Sequence, residues 1–172
     1  MKIYKIGIIG CGGIAQKMAA TLEKMKGVER YAVASRNQEK AEAFANKWGF
    51  TKAYGSYEEL ASDPEVDLIY IATPHAMHYD NAHMCIEKGK PVLCEKAFTA
   101  NARQAEELLA FAKEKGVFIT EAIWTRYMPL SLKIQELLKE GVIGTPYTLS
   151  ANLSYPISNK ERIIRPELAG GA

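Results

Sequence analysis

"YKIGIIGCGGIA", residues 4–15, decides the fold. Residues 4–10, apolar apart from Lys5, end in glycine and read as a buried strand. Gly10-Cys11-Gly12-Gly13-Ile14-Ala15 then spells G-x-G-x-x-A, and Ile14, Met18, Leu22 and Met25 follow at helical spacing over residues 13–26. In a strand–turn–helix of this kind the first glycine permits the tight turn and the second lets the backbone approach a pyrophosphate. The small third residue lets helix and strand pack closely. The helix N-terminus offers free N–H groups and a partial positive charge to the phosphates. Glycine-rich turns are common, so the motif alone is weak. Its place at the first strand–helix junction makes it a dinucleotide-binding signal.

The same alternation runs on to residue 122. Strands are expected at 29–35, 51–55, 66–73, 91–95 and 117–122. Helices are expected at 37–49 behind an Asn cap, at 56–62 behind a Ser-x-x-Glu capping box, at 76–88 ending before Gly89, and at 101–115 closed by Gly116. Strand and helix in strict alternation predict an α/β, doubly wound parallel sheet with helices on both faces, the Rossmann architecture. Beyond residue 122 the rhythm changes. Residues 130–141 read as an amphipathic helix after Pro129, and "PYTLSANLSYPI" (146–157) alternates as a half-solvated strand of another sheet. We therefore expect a dinucleotide-binding domain over 1–122 and the beginning of a second domain over 123–172.

Bulk properties remove other classes. The chain has 172 residues, 48% of them hydrophobic and 24% charged, in the range of ordinary globular domains. Its net charge of +2 comes from scattered Lys and Arg, so the clustered basic footprint of a nucleic-acid binder is missing. No apolar run reaches membrane-span length, and the first residues carry no signal-peptide pattern. Three cysteines (Cys11, Cys85, Cys94) at irregular spacing read as free thiols, which points to the cytoplasm.

Ligands of such sheets bind outside the carboxyl ends of the strands, so the strand ends hold the candidates. After the second strand an NAD site usually places Asp or Glu against the ribose; here the chain reads Ala34-Ser35-Arg36-Asn37, with Lys40 one turn later. Ser35 can donate to a phosphate and Arg36 can present a planar fork to one. This set favours NADP over NAD. The alternative, a solvated Arg36 and acceptance of either cofactor, stays open. The fourth strand ends at Thr73-Pro74-His75, with His78 close behind. His75, His78 and His83 invite a metal reading, but no Asp, Glu or Cys completes a ligand set, so no metal is expected. The fifth strand ends at Glu95-Lys96, where a lysine can bond a substrate oxygen, stabilise charge on it, or pass a proton. Cys94 reads as core.

Gly10-Cys11-Gly12-Gly13-Ile14-Ala15, Ala72-Thr73-Pro74-His75 with His78, and Cys94-Glu95-Lys96, in this order, resemble the glucose–fructose oxidoreductase / inositol dehydrogenase (Gfo/Idh/MocA) family. "TEAIWTRYMP" (120–129) and the "ASR" after the second strand are similar to its branch of dimeric dihydrodiol dehydrogenases and NADP-dependent D-xylose dehydrogenases. The resemblance implies that Gly10, Gly12, Gly13 and Ile14 hold the pyrophosphate and that Ser35, Arg36 and Lys40 hold the adenosine phosphate. It places Thr73, Pro74 and His75 on the nicotinamide side, matches Glu95 and Lys96 to a cofactor-binding Glu-Lys-Pro motif with Lys96 catalytic, and sets His78, Trp124 and Arg126 at the border of the substrate. Ala97 departs from the family's Glu-Lys-Pro. The resemblance also implies a second domain with an open, mainly antiparallel sheet, of which "PELAGGA" (166–172) resembles a Gly-Gly-Gly-Ala loop. On that basis the chain is the first half of a two-domain protein.

Two functions follow. One is an oxidoreductase moving a hydride between NADP, or NAD, and a hydroxyl carbon of a sugar, polyol or diol, in a homo-oligomer where the second domain is whole. The other is a truncated dinucleotide-binding module without turnover. A purely structural protein has no use for an intact phosphate loop beside Glu95-Lys96.

Overall fold

The computed structural model describes residues 2–154, 156 and 164–168. Six strands, β1 (Tyr4–Ile9), β2 (Val28–Ala34), β3 (Lys52–Tyr54), β4 (Leu68–Ile71), β5 (Val92–Cys94) and β6 (Ile119–Glu121), form one sheet in the order β3-β2-β1-β4-β5-β6. Every pairing is parallel. Parallel neighbours need crossovers, which here are helical: α1 (Gly13–Leu22), α2 (Gln38–Trp48), α3 (Tyr57–Ser62), α4 (His78–Glu87) and α5 (Ala102–Lys115). The expected doubly wound sheet is the observed one.

Strand periodicity divides the core. Ile8, Val33, Tyr70 and Ala72 pack with Ala15, Ala19, Leu22, Phe44 and Ala45 of α1 and α2 on one face. Ile9, Ala34, Ile69, Ile71 and Cys94 pack with Leu60, Ala82, Cys85, Ile86, Leu108 and Ala112 of α3, α4 and α5 on the other. Consecutive residues of β4 and of the Ile6–Ile9 part of β1 are thus buried on opposite faces, so these stretches are continuously apolar instead of alternating. Each fully buried Ile or Leu contributes roughly 1.5–3 kcal/mol.

The helix starts follow their cap signals. Asn37 accepts from Lys40 N, Ser56 from Glu59 N and Asn101 from Gln104 N. Such side chains satisfy N–H groups that the helix cannot, for about 1 kcal/mol each. Two elements differ from expectation. α1 stops at Leu22, not near residue 26, because the chain tightens into turn bonds (Lys24 N to Thr21 O, Met25 N to Leu22 O) on its way to Gly27. Residues 146–154 and 156 form no strand, and Tyr147, Leu149 and Leu153 are exposed. A strand needs a neighbour for its N–H and C=O groups, and the described residues provide none there. The rest of the 146–157 reading, at 155 and 157, and the Ala169–Ala172 part of the terminal loop reading lie outside the described residues. The helix read at 130–141 is present as α6 (Pro129–Lys139), with Pro at its start and no buried residue. No helix among the described residues is long and apolar enough to cross a membrane.

From β1 the chain runs outward to β3, then returns to place β4 on the other side of β1. The connections that leave the paired carboxyl ends of β1 and β4 therefore run to opposite sides, which opens a crevice at the point where the strand order reverses.

Candidate functional site

Gly10 leaves β1 at φ +100°, and a Cβ there would lie 2.9 Å from Ala72 O at the end of β4. Only glycine fits both the backbone angle and the close approach. Gly10 N donates to Ala34 O at 2.9 Å and Ala72 N to Ile9 O at 2.8 Å, so the turn is fastened to both neighbouring strand ends. Gly12 and Gly13 differ. Among the described residues, and apart from its own chain neighbours and helix backbone, a Cβ at either meets no atom within 4 Å, so the described packing does not demand glycine. The open space lies over the N-terminus of α1, which has no side-chain cap and no acidic residue in its first turn. Unpartnered N–H groups and an uncancelled dipole make this an anion site, and small residues keep it accessible. That geometry fits a pyrophosphate.

Two clefts meet at this loop, sharing Gly12, Ala72, Thr73 and Pro74. The first, about 430 Å³, extends past Ser35, Arg36, Lys40, Lys47 and Tyr57. Its cations and missing acid suit a ribose phosphate better than a bare ribose hydroxyl pair. Burial pushes the Tyr57 hydroxyl up while the facing Arg36 guanidinium pulls it back. Burial likewise raises the Cys11 thiol at the floor, opposed by Ser35 and Lys40. The second cleft, about 530 Å³, is lined by Gly13, Ile14, Lys17, His75, Glu95 and Lys96. Of the fifteen positions read from the sequence as site residues, Gly10, Gly12, Gly13, Ile14, Ser35, Arg36, Lys40, Thr73, Pro74, His75, Glu95 and Lys96 are brought together along this double cleft.

Lys96 stands exposed on a loop that is held at several points. Phe98 N donates to Glu121 Oε1 at 2.9 Å, and the Cys94 thiol contacts Phe98 O. The Lys96–Ala97 peptide is cis. Glu95 is fixed from beneath by Tyr70, whose Oη lies 2.5 Å from Glu95 Oε1.

His78 departs from its expected place at the substrate. It is fully buried, lines neither cleft, and has its ring nitrogens 2.7 Å from Ala97 O and 2.9 Å from Thr73 O. Two backbone carbonyls at the ends of β4 and β5 thus hold its ring out of reach of a ligand, and the side chain ties the two loops together. Asn81 adds a bond from Nδ2 to Thr73 Oγ1 at 3.0 Å. His83 stacks on Phe111 with ring centres 4.2 Å apart, so the three histidines do not converge. Trp124 and Arg126 sit on an exposed 3-10 turn after β6 (Trp124–Tyr127) and line neither cleft. The second and third cysteines are packing residues: burial pushes the Cys85 thiol up to about 12 and the Cys94 thiol up as well.

Sequence reasoning missed Lys17, Tyr57 and Tyr70. Lys17 is one turn beyond Ile14 on the same helix face, a spacing that could have identified it. Tyr57 follows the Ser56 cap, and Tyr70 sits inside an apolar strand where it reads as core.

A parallel sheet with a glycine turn at its switch point, an uncapped helix and a cationic arm defines a dinucleotide-binding protein of the Rossmann class. The sequence profile of the Gfo/Idh/MocA family, described as an oxidoreductase family with an NAD-binding Rossmann fold, matches residues 4–122, and the chain belongs to that family. It is 43% identical to a D-xylose 1-dehydrogenase (NADP(+)) of Hypocrea jecorina, over 98% of this chain and 49% of that protein. It is 40% identical to a trans-1,2-dihydrobenzene-1,2-diol dehydrogenase of Xenopus tropicalis, over 98% and 52%. Among solved structures, an NAD binding oxidoreductase from Klebsiella pneumoniae superposes with a TM-score of 0.79 at 35% identity, over 83% of this chain and 40% of that one. A 3-ketoreductase from Actinomadura kijaniata, in complex with TDP-benzene and NADP, superposes at 0.75 with 32% identity, over 82% and 45%. The chain spans about half the length of the curated relatives it matches.

Proposed function

We propose that this chain is the NADP-binding half of a dehydrogenase that moves a hydride between the cofactor and a hydroxyl-bearing carbon of a sugar, polyol or diol. The observation that carries this reading is the continuous cleft from Arg36 and Lys40, over Gly12, to Glu95 and Lys96. Gly10, Gly12, Gly13 and Ile14 would hold the pyrophosphate, with Ser35, Arg36 and Lys40 on the adenosine phosphate. Thr73, Pro74, His75, Glu95 and Lys96 would line the nicotinamide side. When bound, the nicotinamide ring supplies the carbon that accepts or gives the hydride. Lys96 hydrogen-bonds the substrate oxygen through Nζ and holds or takes the proton that leaves that oxygen as the carbonyl forms. The clamps on residues 94–98 keep Lys96 at the cleft, and His78 acts by fastening that loop to the end of β4.

Residues 1–122 constitute the cofactor domain, and 123–172 begin a second domain to which Trp124 and Arg126 contribute a substrate border. The relatives' names, together with the strand-end residues, support a small polyhydroxylated substrate. A chain with the first domain alone binds cofactor without turning over. Assembly into oligomers belongs to a complete second domain, and free thiols at Cys11, Cys85 and Cys94 suit a reducing cytoplasm.

Calorimetric titration of the 172-residue chain with NADP and NAD tests the reading. NADP is expected to bind more tightly, and Arg36→Ala is expected to remove about tenfold or more of NADP affinity while leaving NAD nearly unchanged. Equal losses for both cofactors would show that Arg36 does not read the extra phosphate.

A further inference from the structure

The second cleft contains one acidic side chain among its lining residues, Glu95, and that carboxylate is not left to solvent. Tyr70 and Leu93 are register partners on β4 and β5. Side chains two residues apart on a strand share a face, so Glu95 projects on the same face as Leu93 and Tyr70. Tyr70 is almost wholly buried among Ile8, Val33 and Ala72. Its ring fills the layer beneath α1 and α2, and its hydroxyl reaches the end of β5, where Oη lies 2.5 Å from Glu95 Oε1. The other oxygen, Oε2, accepts from Lys96 N at 3.2 Å. Burial, and after it the adjacent carboxylate, push the phenol well above its usual range, so it stays protonated and donates. Packing alone needs only a phenylalanine at this position. The hydroxyl's one described contact is the carboxylate in the cleft.

We propose that Tyr70 is a positioning residue: its buried hydroxyl fixes the Glu95 carboxylate in the nicotinamide cleft, where the negative charge favours the oxidised, cationic ring over the reduced, neutral one. The inference rests on the cofactor reading above and deepens it. A carboxylate gripped by a phenol and a backbone N–H keeps its charge in one place, and the penalty of reorienting it on binding is avoided. A freely rotating Glu95 would turn to solvent, and water would screen the same charge. The pair thereby biases the cofactor toward the form that oxidises an alcohol.

The test measures dissociation constants of NADP+, NADPH and adenosine 2′,5′-bisphosphate for the wild-type chain, Tyr70→Phe, Glu95→Gln and the double variant. Tyr70→Phe preserves the packed ring, so the fold is retained. It is expected to shift the NADP+ to NADPH affinity ratio toward NADPH by about fivefold, the usual scale for freeing one hydrogen-bonded charge. Adenosine bisphosphate affinity is expected to stay the same, because that ligand does not reach the second cleft. Glu95→Gln is expected to shift the ratio in the same direction, and the double variant to shift it no further. An unchanged ratio in Tyr70→Phe overturns the inference. Equal weakening of all three ligands overturns it too, since that is the mark of a merely structural tyrosine. Full additivity in the double variant separates Tyr70 from Glu95 and has the same consequence. Should the wild-type chain bind none of the three ligands, the cofactor reading itself fails and the inference falls with it.

Discussion

Gly10 and Gly12 belong to one motif but answer to different constraints, and two alanine substitutions separate them. In Gly10→Ala the new Cβ sits on a backbone at φ +100° and 2.9 Å from Ala72 O. The angle costs a non-glycine residue ~1–2 kcal/mol. The overlap is with a backbone carbonyl whose strand is fixed by the Ala72 N–Ile9 O bond, so relief requires moving β4 against β1, at ~1–3 kcal/mol. The sum, about 2–5 kcal/mol, is a large share of the ~5–15 kcal/mol that holds a typical domain together. In Gly12→Ala the backbone is at φ −80° and ψ −174°, which alanine adopts readily. The Cβ meets nothing within 4 Å, so stability is expected to stay level or rise by a few tenths of a kcal/mol through a less flexible unfolded chain. The methyl, however, occupies the space over the N-terminus of α1, and NADP affinity is expected to fall by at least tenfold. Urea denaturation and calorimetric titration, run on both variants, read the two effects independently. A Gly12→Ala protein that loses as much stability as Gly10→Ala would refute the steric reasoning. One that binds NADP normally would remove the pyrophosphate from the helix end.

Lys96→Ala is expected to leave the NADP dissociation constant within a few-fold, because Lys96 is one exposed contact among many. Where the chain is joined to the second half that its relatives carry, the same change is expected to abolish turnover, and near-normal turnover in a steady-state assay would take Lys96 out of the chemistry. Asp63 gives an acid dependence. Burial alone would raise its carboxyl, but hydrogen bonds from Tyr54 Oη, Lys52 Nζ and Glu65 N bring it down to about 2, from 3.8. With the folded value below the unfolded one, the carboxylate stabilises the fold above about pH 4, and that contribution disappears as the pH falls toward 2. Its size is roughly 1–2 kcal/mol, reduced because the Lys52 partner is partly solvated. Urea midpoints between pH 5 and pH 2.5 should therefore fall further for the wild type than for Asp63→Asn, and parallel curves would count against the network.

The sheet was legible because its signals are local. Continuous apolar runs mark strands with two buried faces, Asn37, Ser56 and Asn101 mark helix starts, and Gly49 and Gly116 mark helix ends in left-handed conformation. The cleft residues were legible for a related reason. A parallel sheet puts every strand's carboxyl end on one side, so a residue just past a strand faces the crevice whatever the intervening packing. His78 failed this rule because its neighbours come from elsewhere in the chain: Thr73 lies five residues back and Ala97 nineteen ahead. No spacing in the sequence announces that two carbonyls from separate loops will close on one imidazole. Tyr70 is the same case in reverse. Its position in an apolar strand correctly predicts burial, and burial conceals that its hydroxyl reaches the site.

α6 shows where local signals stop being enough. Its spacing is helical and proline opens it, yet Leu130, Ile134, Leu137 and Leu138 are exposed and no residue of the helix is buried. An isolated helix of this length is marginal in water, since nucleation is costly and most helical stability in proteins comes from packing an apolar face. α4, one residue shorter, buries His78, Asn81, Ala82, Cys85 and Ile86 against the sheet. The two helices therefore differ in tertiary support far more than in length or composition. In native-state hydrogen exchange of the 172-residue chain, amides of α4 are expected to exchange only through large-scale opening. Those of α6 are expected to exchange near the rate of an unstructured peptide. Comparable protection in both would mean that α6 is packed against something, and that its apolar stripe is covered in solution. Slow exchange appearing in α6 only at high protein concentration would identify the cover as a second copy of the chain.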